Sequence, residues 1–348
     1  MNGKSIIGFV GLALSMAGCG VEVSESDAAA TRDALLNGMN FYFGNLHAHT
    51  KYSDGQKTPA EGYVWARDTA KMAFYAITDH AELLSSSEWN DVGTQANNYN
   101  EDGRFVALRG FEYTNYLLGH INGYDTSGYR SFWSSLTLSS FYSWLDSNNG
   151  IGQFNHPGDP SDFSNFSLNS KAVDNMALLE TANGGDSNAS GVYTGEYDRA
   201  LSKGWKAAPT GNNDNHSLSD AGRRTVLVAT ELTRAGLVSA MRARRMYSSD
   251  DPNMEIAFVL RGSWMGSTVT GSQGSYTFDV AILDDESISS VQLVAKGSVV
   301  STLTPPPGVK ELTWNPTLNV TSDTYGYLKV TGADGHVAIT APIWIDVP

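Results

Sequence analysis

The chain has 348 residues, 41% of them hydrophobic, which suits about two packed domains. Its 37 acidic and 23 basic side chains leave a net charge of −14, which works against nucleic-acid polymers, since these are bound by neutralising a long phosphate backbone. The single cysteine, Cys19, excludes an internal disulfide framework and thiolate metal cages, so any bound metal must take nitrogen and oxygen donors.

Residues 1–19 carry Lys4, a small and apolar run from Ile6 to Ala13, and then Leu14-Ser15-Met16-Ala17-Gly18-Cys19, the pattern of a secretory signal peptide. Its end resembles a bacterial lipobox. That implies a lipid-modified Cys19 on an exported chain, held at the outer membrane or cell surface on the periplasmic or extracellular side. Cleavage near Ala28-Ala29-Ala30, releasing a free product, is the other reading. The run is too short and glycine-rich for a span of about 20 apolar residues, so the lipid is the only membrane contact expected. Residues 20–37 are polar and alanine-rich and read as a tether.

From 38 to 252 short apolar runs alternate with amphipathic ones, the α/β signature of a largely parallel sheet or barrel. Strands are expected at Phe41–Leu46, Phe74–Thr78, Phe105–Leu108, Ile151–Phe154, Met176–Glu180, Lys206–Pro209 and Thr225–Ala229. Thr58-Pro59-Ala60-Glu61 supplies an N-cap hydroxyl, a first-turn proline and a capping-box glutamate for one helix. Another runs from about Arg234 to Arg245, its basic residues suiting the C-terminal dipole. From 253 to 348 the runs Glu255–Leu260, Ser275–Leu283, Ser290–Ala295, Tyr325–Val330 and His336–Ile345 alternate in period two, as in a small antiparallel β-sandwich.

Six of the seven histidines lie in the first module, nearly all just past an expected strand. His47 and His49 follow the first strand, and a spacing of two in extended chain puts both imidazoles on one face. Asp54 lies in Ser53-Asp54-Gly55, His80 closes Thr78-Asp79-His80, and Glu112 follows the third strand. His120 lies in Gly119-His120-Ile121-Asn122, His156 in Asn155-His156-Pro157, and Asp214 and His216 in Asp214-Asn215-His216. In a closed barrel these ends share one rim. Nine donors exceed the three or four usual for one catalytic ion, so two or three divalent ions are expected, of the zinc, manganese or iron type that accepts imidazole with carboxylate. Hydrolysis follows naturally from such ions.

This ordered set resembles the metal-binding motifs of the PHP (polymerase and histidinol phosphatase) superfamily of metal-dependent phosphoesterases. Gly110-Phe111-Glu112-Tyr113-Thr114, Gly119-His120-Ile121-Asn122, Asp214-Asn215-His216 and Arg244-Arg245-Met246-Tyr247 resemble its carbaryl-hydrolase-like (CehA/McbA) branch. The resemblance implies a distorted seven-stranded (β/α) barrel with a trinuclear site. In it His47, His49, Glu112 and Asp214 hold one metal, and Glu112 bridges to a second held by His120 and His156. Asp54, His80 and His216 hold the third. Asp79 is a candidate acceptor that orients a histidine.

Glu112, Asp214 and Arg109 are the candidate catalytic residues, Arg109 as a guanidinium fork for an anionic substrate or, equally, a surface ion pair. Arg223 and Arg224 carry the same two readings, and Lys51 is weaker. Tyr113, Tyr116, Tyr124, Trp133, Phe141 and Trp144 could wall a pocket, with core packing the default for at least half of them. His336, in a tail strand, is given no role.

The function expected is that of a secreted phosphoesterase acting on a small-molecule ester through a hydroxide bridged by divalent metals. Carbamate or carboxylic ester hydrolysis at the same ions is the alternative. From another class comes a non-catalytic surface module that binds metal or polymer. Imidazoles must be neutral to hold a cation, so metal affinity and rate are expected to fall below about pH 6.

Overall fold

The computed structural model describes residues 25–158, 162–184, 191–220 and 222–348; the signal-like segment and Cys19 lie outside these. Part of the expected tether is helical: α1 (Glu25–Leu36) follows from an alanine-rich run of good helix formers, and Arg32 ion-pairs with Glu255.

All seven expected strands overlap observed ones, but the sheet is mixed rather than largely parallel. β1 (Asn40–Asn45), β2 (Phe74–Ile77) and β3 (Val106–Asn115) run parallel. β4 (Gly119–Tyr124), absent from the expected set, runs antiparallel to both β3 and β5 (Ile151–Phe154). Only Tyr116–Leu118 join β3 to β4, too few residues for a parallel crossover, so a hairpin is forced. β6 (Leu178–Asn183) then pairs with the short antiparallel β7 (Gly191–Val192) and, in parallel, with β8 (Ala208–Asn212). On the other flank of β1 stand β9 (Arg224–Ala229) and β10 (Met246–Ser249), each antiparallel to its neighbour. The sheet curls round: Thr225 Oγ1 donates to the Gly211 carbonyl at 3.0 Å and Thr181 Oγ1 to Ser248 Oγ at 2.7 Å.

Helices cover the outer face. α2 (Pro59–Val64) starts with the expected Thr58/Glu61 capping box, and α3 (Ser86–Tyr99) with an equivalent box from Ser85 and Glu88. α4 (Leu138–Ser147), α5 (Thr194–Ser202) and α6 (Arg234–Arg242) follow. α6 ends before Arg245 because Arg244 takes a left-handed φ of 56°.

Residues 253–348 pair mostly antiparallel, but Thr268–Thr270 runs parallel to Ile343–Asp346, and two of the expected strands divide. His336–Ile345 breaks at Pro342 into Val337–Thr340 and Ile343–Asp346, and Ser275–Leu283 divides into Gly274–Thr277 and Asp279–Leu283, in different sheets. β10 pairs with Val337–Thr340, which also pairs with Thr324–Gly332, so one sheet runs from the first module into residues 253–348. The core is shared likewise: Val226 and Tyr247 belong to the same buried cluster as Met254, Phe258 and Leu328.

Candidate metal centre

The strand ends are held in register beyond the regular ladders. His49 N donates to Asn215 O at 2.9 Å, Thr78 N to Ala48 O at 2.8 Å, Glu112 N to Asp79 O at 3.0 Å, and Asn155 N to His120 O at 3.0 Å. Side chains distant along the chain therefore point into one space. Glu112, expected to follow the third strand, lies within β3, opposite Asn122 on β4, while Thr114 faces His120. The hairpin thus delivers both Glu112 and His120.

Glu112 is the hub. Its Oε1 lies 3.3 Å from His47 Nε2, 3.4 Å from His120 Nδ1 and 3.6 Å from His156 Nε2. Its Oε2 lies 2.7 Å from His80 Nδ1 and 3.7 Å from His49 Nε2. Asp214 Oδ1 is 3.3 Å from His47 Nε2 and 3.1 Å from His49 Nε2. At the mouth Asp54, half exposed, faces His216 Nε2 at 3.2 Å, His80 Nε2 at 3.5 Å and His49 Nδ1 at 3.8 Å. Gly55 makes this turn possible, because a Cβ there would meet the His49 carbonyl oxygen at 2.5 Å. His156 and Asp214 take left-handed φ values of 29° and 48°, a backbone strain of the kind concentrated at functional sites.

All nine expected donors come together in overlapping groups whose candidate ligand atoms lie within 4.8 Å of one another: His49, Asp54, His80 and His216; His47, His156 and Asp214; His47, His49 and Glu112; and Glu112, His120 and His156. The grouping differs in detail from the one the resemblance implies, since His49 also reaches the Asp54 group. These donors fit divalent cations. Glu112 Oε2 and Asp214 Oδ1 are buried and accept no hydrogen bond, and two ring nitrogens, His47 Nε2 and His49 Nε2, stand 3.2 Å apart. A cation supplies the charge that such convergent acceptors lack.

Burial raises the Glu112 carboxyl, but His120, His80 and His47 outweigh it and hold it well below its usual range. Asp214 is lowered in the same way, burial being overcome by His47 and His49. Burial pulls His47 down, yet Asp214, Glu180 and Glu112 hold it well above its ordinary value. His80, against the same pull, is pushed up to about 11 by Glu112 and Asp54. His156 and His216 are also raised, by Glu112 and Asp54 respectively, whereas for His49 burial dominates and lowers it. The metal-free centre therefore keeps a proton on His80 at neutral pH, and a metal must displace it. Metal affinity is expected to keep rising from pH 7 to 9, by about tenfold per pH unit for each proton displaced. Chelator competition across pH 6–9 measures this; affinity that levels off at pH 7, as ordinary histidines would give, contradicts it.

Glu180, which the sequence reading passed over, is fully buried at the centre of a polar network. Its Oε1 accepts from His47 Nδ1 at 2.9 Å and Asn212 Nδ2 at 2.9 Å; its Oε2 accepts from the His156 amide at 2.7 Å and Asn183 Nδ2 at 3.0 Å. It thereby turns His47 Nε2 toward Glu112 and Asp214. The signal that singled out Glu112, a carboxylate at the end of an apolar strand, was equally present in Leu178-Leu179-Glu180. Glu180→Gln is expected to weaken metal affinity about 10- to 100-fold while the protein stays folded; unchanged affinity by chelator competition contradicts that role. Asn155, also passed over, donates Nδ2 to Glu112 Oε1 at 2.7 Å.

Several expected residues lie elsewhere. Arg109 is three residues from Glu112 on the same strand, so the pleat sends it to the opposite face, where its guanidinium stacks 4.0 Å over Trp89. It does not reach the donors. Asp79 accepts from Thr50 N at 2.6 Å, Thr50 Oγ1 at 2.7 Å and Ser53 Oγ at 2.6 Å, fixing the turn behind His49 rather than bonding a histidine. Arg224 forks onto Asp220, Arg223 donates to the Gly191 carbonyl, and Lys51 is exposed. Tyr113 and Phe141 pack together in the core with ring centroids 4.3 Å apart, Trp144 packs on Phe111, and Tyr124 donates its hydroxyl to Leu46 O. Trp133 and Tyr116 are about 70% exposed. Tyr116 and Leu117, with His120 and His156, line a cavity of about 220 Å³ at the centre. His336 sits apart, 2.5 Å from Asp334.

No family model matches the chain. It is 22% identical to an uncharacterized protein of Chlamydia pneumoniae in an alignment that covers 88% of this chain; the chain spans 58% of that relative's length. Among solved structures it is similar to a two-domain protein from Bacteroides vulgatus ATCC 8482 containing a predicted PHP-like metal-dependent phosphoesterase. The TM-score is 0.51 at 16% identity, over 89% of this chain and 96% of that one. Identity this low speaks to architecture, and the chain shares the fold of that two-domain protein.

Proposed function

We propose that this chain is a metal-dependent hydrolase that cleaves a small phosphoester with two or three divalent ions of the zinc, manganese or iron type. The observation that carries the reading is the convergence of six imidazoles and three carboxylates on one space, with the buried Glu112 Oε2 and Asp214 Oδ1 accepting no hydrogen bond. The phosphoester is supported by the likeness to the PHP-like structure, and hydrolysis by the donor chemistry. Bound divalent ions would lower the pKa of a water and offset charge on the ester oxygens.

The chain's own residues supply the rest. His47, His49, Asp214 and Glu112 would hold the inner ions, His120 and His156 the side facing the 220 Å³ cavity, and Asp54, His80 and His216 the mouth. Glu180 and Asn155 orient His47 and Glu112, so little reorganisation is left for the reaction. Tyr116 and Leu117 border the cavity beside His120 and offer an apolar wall to the ester's substituent.

The test is a substrate panel on purified protein supplied with Mn²⁺ or Zn²⁺. Cleavage of phosphomonoesters or phosphodiesters is expected. Cleavage of aryl carboxylic esters or carbamates alone would replace the phosphoester with a carbonyl substrate, and inertness toward every ester would leave a binding module.

A further inference from the structure

A second cavity, of about 570 Å³, opens on the outer side of the β3–β4 hairpin, at the end away from His120. Arg109 of β3 and Arg234 at the start of α6 both line it, with Asn90 and Asn97 of α3. Neither arginine meets a carboxylate among the described residues. Arg109 donates one bond, from Nη1 to the Trp89 carbonyl at 3.3 Å. Arg234 donates to the carbonyls of Ala107 and Ala96 and to Asn97 Oδ1. The cavity's own carboxylate, Asp125, is committed to Arg242 at 2.6 Å. In a chain of net charge −14, two guanidiniums line a recess whose one lining carboxylate among the described residues is paired with a third arginine.

The helix above is shaped for this arrangement. Gly93 lies inside α3, where glycine costs helix stability, and a Cβ there would come within 2.5 Å of Arg109 Nη1. The missing side chain leaves room for the guanidinium over Trp89, its carbon 4.0 Å from the ring centroid, and Arg109 lines the recess with one hydrogen bond, from Nη1 to the Trp89 carbonyl. Partial burial and the charge of Arg234 both lower the Arg109 pKa, so an oxyanion placed between them would relieve an existing electrostatic cost.

We propose that this recess is a binding site, separate from the metal centre, for a small molecule bearing a phosphate or carboxylate group. The group sits in the fork of Arg109 beside Arg234, and its carbon skeleton lies over Leu108, Val238 and Met241. Phosphate and carboxylate present the same planar pair of oxygens to a guanidinium, and the experiment tells them apart.

Calorimetric titration of the full-length, metal-loaded protein with inorganic phosphate, and separately with succinate, tests the site against Arg109→Gln and Gly93→Ala variants. The metal centre is a second place where phosphate can bind, so the difference between wild type and variants is the readout. Both substitutions are expected to remove one bound anion per chain or weaken it about tenfold or more, with metal content unchanged. The anion lost identifies the recognised group. Gly93→Ala guards against misreading a packing defect, since it retains the arginine and only intrudes on its seat. Equal phosphate and succinate binding by all three proteins, or none by the wild type, overturns the site.

Discussion

Glu112→Ala is expected to lower hydrolysis by about 10³-fold or more and to reduce the metal retained per chain by at least one ion. The estimate follows from several kcal/mol of transition-state stabilisation supplied by bound ions, at about 1.4 kcal/mol per factor of ten. Five imidazoles, those of His47, His49, His80, His120 and His156, lie within 4.0 Å of the Glu112 carboxylate, so no other donor is shared so widely. Without it a bound cation loses both a shared ligand oxygen and the negative charge that offsets its own, so it is held less tightly even though the rings also hold protons less tightly. Asp214→Ala is expected to act in the same direction through His47 and His49. Elemental analysis of each variant alongside the ester assay measures both effects. Wild-type metal content together with wild-type rates in Glu112→Ala would place the chemistry somewhere else in the molecule.

Removing residues 253–348 is expected to leave the remainder insoluble rather than to release a working first module. β10 would lose its partner Val337–Thr340, and an unpaired edge of Met246–Ser249 would face solvent. Val226 and Tyr247 would lose the shelter of Met254, Phe258 and Leu328, in a cluster that continues across both parts. Each large apolar side chain so exposed costs about 1.5–3 kcal/mol, and a handful of them consumes the roughly 5–15 kcal/mol by which a folded domain is stable. Expression of residues 25–252 followed by sedimentation and circular dichroism decides it. A soluble, cooperatively melting fragment would show that the tail is an independent unit.

The sequence went far in one direction. Strand positions were legible because each apolar run is short and bounded by Gly, Asn, Asp or Pro, and the donors were legible because polar, metal-competent residues recur just where those runs stop. It failed where the outcome hung on which strand lies beside which. A run such as Gly119–Tyr124, glycine-rich and only one-third apolar, has little strand character alone; it becomes β4 because β3 and β5 both hydrogen-bond to it. Arg109 was misassigned because proximity along the chain was weighed without the alternation of the strand.

What the amino-acid order determined by itself is the chemistry of the donor set: one cysteine, so nitrogen and oxygen ligands, and six histidines with carboxylates at the ends of apolar runs. What only the tertiary structure decided is which donors meet, that Glu180 orients His47 while Asp79 fixes the turn at Thr50, that Arg109 faces away, and that the first module and the tail share one sheet. The physical reason is range. Periodicity and turn chemistry act over a few residues, whereas the contact between His47 and Glu180 joins positions 133 apart and exists only once the sheet has curled round on itself.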